Sequence, residues 1–117
     1  MRKVLVVEDE KLIRQGISTM IKRCGVPVEE IIECANGIQA MEVLKETQID
    51  VMLTDIRMPK MNGVELVQAM QELKDIPLTV AVSGYDDFSY AVEMMRHGVK
   101  EYILKPVERD KLKAVME

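Results

Sequence analysis

Val4-Leu5-Val6-Val7-Glu8-Asp9-Glu10 passes in one step from an unbroken apolar run to three carboxylates. β-Branched residues without polar interruption suit a strand buried on both faces, as in a parallel sheet covered by helices. Beyond the acids the period changes. Leu12, Ile13, Gly16, Ile17, Met20 and Ile21 recur at helical spacing, so a helix is expected over 11–24, stopped by Gly25 and Pro27. The same succession then repeats. Ile31 to Ala35 reads as a strand broken by Glu33, and Ile38 to Glu46 as a helix after Asn36-Gly37. Val51-Met52-Leu53 is a third strand. Asn62 caps a helix whose apolar stripe is Val64, Leu66, Val67, Met70 and Leu73. Pro77 separates it from a strand over Leu78 to Val82. Asp86 or Asp87 caps a fourth helix, with His97 in its last turn and Gly98 as its stop. Tyr102-Ile103-Leu104 and a helix from about Glu108 complete the series.

Strands alternating with helices imply an α/β fold, a doubly wound five-stranded parallel sheet with right-handed crossovers. Strands 1, 3 and 4 are the most uniformly apolar and should lie centrally. Strand 2 carries a charge and strand 5 is short, so both should be edges, which fits the order 2-1-3-4-5. A chain of 117 residues is expected to form one domain over 1–117. Net charge is −4 and no Lys/Arg stripe forms, so direct nucleic-acid contact is not expected. The first apolar run is too short for a signal peptide or a membrane span, which points to a cytoplasmic protein. Cys24 and Cys34 read as buried reduced thiols, and with His97 the sole histidine no zinc site is expected. Met20 and Met70 read as core, Met94 and Met95 as including one exposed position, and Phe88 and Tyr90 as packing around helix 4.

The informative residues are those that follow the strands, because doubly wound sheets bind ligands beyond their carboxyl ends. Glu8 and Asp9 follow strand 1, Asp55 strand 3, Ser83 strand 4, and Lys105 and Pro106 strand 5. Singly, each is an ordinary turn or surface residue. Together they bring three carboxylates, a hydroxyl and an ammonium to one spot. Crowded carboxylates raise one another's pKa, and a hard cation such as Mg2+ relieves the repulsion. An aspartate there can attack phosphorus, with Mg2+ and a lysine stabilising the transferred group.

Val6-Val7-Glu8-Asp9-Glu10, Thr54-Asp55-Ile56-Arg57-Met58-Pro59, Asn62-Gly63, Ser83-Gly84-Tyr85 and Tyr102-Ile103-Leu104-Lys105-Pro106 resemble the receiver domain of two-component response regulators, over essentially the whole chain. Ser83 to Pro106 is also similar to regulators that carry an AraC-type DNA-binding domain. The resemblance implies a flavodoxin-like receiver fold and a role for each residue. Asp55 would be the phosphoacceptor, and Glu8 and Asp9 the pair holding Mg2+. Arg57 would add its backbone carbonyl to the metal. Ser83 and Lys105 would contact the phosphoryl group, with Lys105-Pro106 cis. Tyr102 would be an aromatic switch coupled to Ser83, and Gly63 would permit a tight approach into helix 3. Many members have Asp where this chain has Glu8, so the longer side chain leaves direct ligation by Glu8 open. The implied partners are a sensor histidine kinase and a covalently linked output domain, DNA-binding in kind, outside this sequence. A phosphorylation-dependent homodimer is also compatible with it. Tyr85 and Arg57 lie two residues past Ser83 and Asp55, where they would modulate hydrolysis of the phosphoaspartate.

Two other classes of function share parts of this pattern. An aspartate-dependent phosphatase of the haloacid dehalogenase type also uses a strand-end Asp, Mg2+, a hydroxyl and a Lys. It wants a second Asp two residues on as general acid, and that place holds Arg57. A binding module would be either flavodoxin-like, which Glu8-Asp9-Glu10 would oppose by repelling phosphate, or a degenerate receiver, which would have lost a key position.

Overall fold

The computed structural model describes residues 2–116 apart from 85–87 and the side chain of Phe88. The expectations for Tyr85, for a cap at Asp86 or Asp87, and for the packing of Phe88 lie outside the described residues. Ten elements alternate in order: β1 (Arg2–Val7), α1 (Lys11–Arg23), β2 (Val28–Cys34), α2 (Gly37–Glu46), β3 (Val51–Asp55), α3 (Gly63–Met70), β4 (Leu78–Ser83), α4 (Phe88–Arg96), β5 (Glu101–Leu104) and α5 (Arg109–Met116). The strands form one sheet in the order β2-β1-β3-β4-β5, parallel throughout. This is the expected doubly wound fold. No helix of the described residues is long and apolar enough to cross a membrane.

The strand period of two sorts the core onto two faces. Val4, Val6, Val51, Leu53, Val80 and Val82 pack with Ile17 and Ile21 of α1 and Leu112 and Met116 of α5. Leu5, Val7 and Met52 point the other way, onto Ala40 of α2 and Leu66 and Met70 of α3. Ala81 continues that face toward Ala91 and Met94 of α4. Each aliphatic side chain so enclosed contributes roughly 1.5–3 kcal/mol by leaving water. Cys24 and Cys34 are buried and unpaired with each other, and Met95 is the exposed one of the Met94–Met95 pair.

Several boundaries differ from the sequence reading, each for a tertiary reason. β2 begins at Val28 rather than Ile31, because at the sheet edge Val28 and Glu30 pair with β1 by backbone, across a register shift at Glu29, while Glu29 and Glu30 stay exposed. β3 runs on through Thr54 and Asp55, which pair with Ala81 and Val82 of a neighbouring inner strand. β4 likewise takes in Ser83, and β5 starts one residue early at Glu101. Helix α4 stops at Arg96, one residue before His97, with Gly98 at φ 99°. Leu12, placed by spacing in the stripe of α1, is 82% exposed. Ile17 and Ile21 set the buried direction, and Leu12 lies off their line by the helix period.

The approach from β3 to α3 is the tightest point of the backbone. The Gly63 amide donates to the Ile56 carbonyl at 2.7 Å. A Cβ on Gly63 would stand 2.5 Å from the Asp55 carbonyl oxygen and 3.0 Å from the Ile56 Cα. Asn62 and Glu65 then close a reciprocal capping box on α3. Because backbone cannot yield as a side chain does, Gly63→Ala is expected to cost about 3 kcal/mol or more of stability, measured by urea denaturation. Glu65→Gln, which can keep the box, should cost less than about 1 kcal/mol in the same assay.

Candidate functional site

Four strands deliver their last residues to one edge of the sheet. Glu8 and Asp9 leave β1, Asp55 ends β3, Ser83 ends β4, and Lys105 follows β5. One carboxylate oxygen each from Glu8, Asp9 and Asp55 lies within 4.8 Å of the others. Lys105 Nζ stands 3.0 Å from Glu8 Oε1 and 3.2 Å from Asp55 Oδ2. The backbone holds the acids in place: the Ile56 amide donates to Asp55 Oδ1 at 2.8 Å and the Glu10 amide to Glu8 Oε2 at 3.2 Å. The Lys105–Pro106 peptide is cis, as expected, and the Lys105 amide donates to the Ser83 carbonyl at 2.7 Å. Ser83 itself is fully buried, and its hydroxyl lies a long 3.5 Å from the Gly84 carbonyl.

The acids differ in environment. Glu8 and Asp55 are buried, whereas Asp9 is exposed. Burial pushes the Glu8 carboxyl up to about 7, and the charge of Asp55 and a hydrogen bond with the Asp9 side chain add to the rise; the Glu10 amide and Lys105 oppose it. For Lys105, burial alone would favour loss of the proton, but the hydrogen bond to Glu8 and the charge of Asp55 raise its pKa overall. Both pKa values rise, Glu8 toward its neutral form and Lys105 toward its charged form. Glu8 is enclosed, with 1% of its side chain exposed, while Lys105 keeps 25% and some of its hydration. The ammonium stays charged, and it does not neutralise the carboxylates around it. The Cys34 thiol, by contrast, is pushed up to about 11 by burial and is unreactive at neutral pH.

Beside the acids opens a cavity of about 440 Å³, lined by Asp9, Ile56, Arg57, Met58, Pro59, Asn62 and Tyr90. The loop that walls it turns at Lys60, whose φ of 69° is uncommon for a residue with a side chain. Arg57 is exposed, and its guanidinium lies 5.6 Å from the centre of the Tyr90 ring, a cation–π arrangement. Tyr90 therefore does not pack inward as expected; it is 45% exposed at the rim of the cavity. Aromatic residues on a helix give no sequence signal for which face they occupy. Tyr102 is half-buried against the cluster of Ile56, Val67, Ala81, Ala91, Met94 and Val99. His97 stands apart from the pocket, 3.4 Å from Glu93 at the end of α4, as a helix-end residue should. Thr54 was missed by sequence reasoning: its hydroxyl donates to the Asp55 carbonyl at 2.9 Å and steadies the strand end.

Comparison with known proteins adds independent findings. The family model for the response regulator receiver domain matches residues 4–117. An uncharacterized response regulatory protein of Staphylococcus epidermidis is 36% identical over 118 residues, covering 100% of this chain and 46% of that protein. The transcriptional regulatory protein HptR of Staphylococcus aureus is 34% identical over 120 residues, covering 99% of this chain and 45% of that protein. The chain thus spans less than half the length of these relatives. Among solved structures, the REC domain of AraT from Geobacillus stearothermophilus superposes with a TM-score of 0.83 at 35% identity, covering 98% of this chain and 89% of that one. A two-component transcriptional regulator AraC from Clostridium phytofermentans gives 0.85 at 31% identity, covering 99% and 93%.

The raised pKa of Glu8 has a measurable consequence. Between about pH 4.5 and 7 the folded chain keeps a proton there that the unfolded chain has released. Stability from this group therefore falls as pH rises through that window and is level on either side. Glu8→Gln cannot ionise, so in the absence of divalent cations its stability gain over wild type should grow from near zero below the window to a plateau of at most about 3 kcal/mol above it. Chemical denaturation at a series of pH values reads this directly, and a gain independent of pH would contradict it.

Proposed function

The chain belongs to the family of response regulator receiver domains, and on that premise we propose that it accepts a phosphoryl group on Asp55, with Mg2+ at the acidic cluster, and passes the change to a linked output module. The observation that carries the proposal is the convergence of Glu8, Asp9 and Asp55, with oxygens within 4.8 Å of one another, two of them, Glu8 and Asp55, paired with the Lys105 ammonium. That donor set fits a hard divalent cation: oxygen ligands only, an excess of negative charge, and a buried Glu8 whose ionisation is opposed until charge is compensated. Bound there, Mg2+ would neutralise the carboxylates and the oxygens of an incoming phosphoryl group.

The side chains divide the remaining work. The Ile56 amide orients the Asp55 carboxylate, which attacks phosphorus; a P–O bond forms as the P–N bond of a phosphohistidine donor breaks and imidazole departs. Asp9, open to solvent, and Asp55 would face the cation, together with the Arg57 carbonyl. Glu8, enclosed and held by Lys105, would act on it directly or through water. Lys105 would follow the negative charge from the carboxylate to the phosphoryl oxygens. Among the described residues no short hydrogen bond holds the Ser83 hydroxyl, so it can turn to donate to the new dianion. Tyr102, half-buried between β5 and α4, would repack in response and alter the face that partners read.

The domain acts as a signalling module rather than on a substrate of its own. A sensor histidine kinase is the proposed donor. A DNA-binding output domain of AraC type is the proposed recipient, supported by the greater length of the transcriptional regulator HptR and by the likeness to a structure described as a two-component transcriptional regulator AraC. We place the protein in the cytoplasm, with dimerisation through phosphorylation as a further consequence to test.

Intact mass spectrometry after incubation with a small-molecule phosphodonor tests the proposal. Wild type with Mg2+ should gain one phosphoryl group; Asp55→Asn and the metal-free protein should gain none. Failure of the folded wild type would favour a phosphorylation-independent interaction module. In the same assay followed over time, Arg57→Ala should change the lifetime of the phosphoaspartate severalfold, since Arg57 and Tyr90 form the rim that an attacking water must pass. Equal lifetimes would remove Arg57 from that role.

A further inference from the structure

The edge strand β2 sends no charged group into the pocket, yet one charge interrupts its apolar run at Glu33. Glu33 Oε1 receives Arg14 Nε of α1 at 3.2 Å. The same guanidinium donates from Nη1 to the Glu8 carbonyl oxygen at 2.6 Å, a short charge-assisted bond. On its other side, the Glu8 amide donates to the Cys34 carbonyl at 2.9 Å. Both peptide units flanking the Glu8 side chain are therefore tied to β2, one directly and one through Arg14 and Glu33. Glu10 at the N-cap of α1 makes no side-chain cap, so besides these ties the turn rests on the Glu10 amide against Glu8 Oε2 and on Lys105.

From this geometry we propose that Arg14, oriented by Glu33, is a positioning residue for the divalent-cation site: it sets the acidic turn that presents Glu8 and Asp9. The inference rests on the cation-site reading of the cluster. It makes a prediction opposite in sign to simple charge effects. Removing a cation from α1 while leaving Glu33 would, by electrostatics alone, tighten binding of a dication nearby. If position matters more, the same change weakens binding. Arg14→Lys separates the two, because it keeps the charge but one ammonium cannot reproduce the planar fork that spans the Glu8 carbonyl and the Glu33 carboxylate.

The test is calorimetric titration of Mg2+ into wild type, Arg14→Lys, Arg14→Ala and Glu33→Gln, at a temperature where circular dichroism shows each chain fully folded without metal. The expected result is a Kd raised about tenfold in Arg14→Lys and Arg14→Ala, as for other groups that orient metal ligands. Glu33→Gln, exposed at the sheet edge and still able to accept from Nε, should show a smaller rise and serves if an Arg14 variant does not fold. Unchanged Kd values alongside lowered thermal stability would make the pair structural only and overturn the proposal, as would tighter binding in Arg14→Ala. Absence of Mg2+ binding by wild type is a separate outcome: it would overturn the cation site itself, and the positioning role with it.

Discussion

Three carboxylates gathered at the edge of a sheet, two of them paired with one ammonium, repel one another more than a single lysine can offset. The rest of the structure is arranged so that this repulsion does not open the fold. The acids are carried on the ends of the inner strands β1 and β3, whose apolar residues are enclosed on both faces. The electrostatic cost is thus concentrated at the strand tips, where backbone amides of Ile56 and Glu10 partly compensate it. The same concentration of unneutralised charge is the feature on which the proposed dication site rests.

Rigidity and freedom are distributed unevenly around that point. On one side, Gly63 is pressed onto the backbone of Asp55 and Ile56, and Asn62 and Glu65 lock the start of α3. The loop before it is also anchored to α2, through the Gly37 amide and the Met61 carbonyl at 3.1 Å. On the other side, the Ser83 hydroxyl has no short bond among the described residues and Tyr102 is only half enclosed. On the proposed function, a disturbance at Asp55 would have little room to move α3 and would be passed instead toward β4, β5 and the packing of α4. That asymmetry suits a two-state element, in which a change of charge is answered by repacking on one side of the sheet.

Legibility in the sequence followed the range of the interaction concerned. Runs such as Val4 to Val7 and Val51 to Leu53 announced inner strands, because burial on both faces leaves no polar position. Asn62 and Gly98 announced helix ends through local backbone chemistry. Boundaries on the edge strand were less legible: Val28 and Glu30 pair with β1 by backbone, which no side-chain pattern reports. Leu12 and Tyr90 were assigned inward by hydrophobicity, but what covers a helix face depends on neighbours remote in the chain.

The sequence by itself determined the fold class, the strand order and the set of strand-end residues, since each follows from hydrophobic period, chain length and turn chemistry within a few residues. Only the tertiary structure decided which acid is enclosed and which is open, that Lys105 bridges Glu8 and Asp55, that Arg57 lies over Tyr90, and that Glu33 reaches the acidic turn through Arg14. These are contacts between segments far apart in the chain. Their distances are set by the register and twist of packed elements, so identical side chains at the same spacing could meet or miss, and the energy of a charge depends on what surrounds it rather than on where it stands in the sequence.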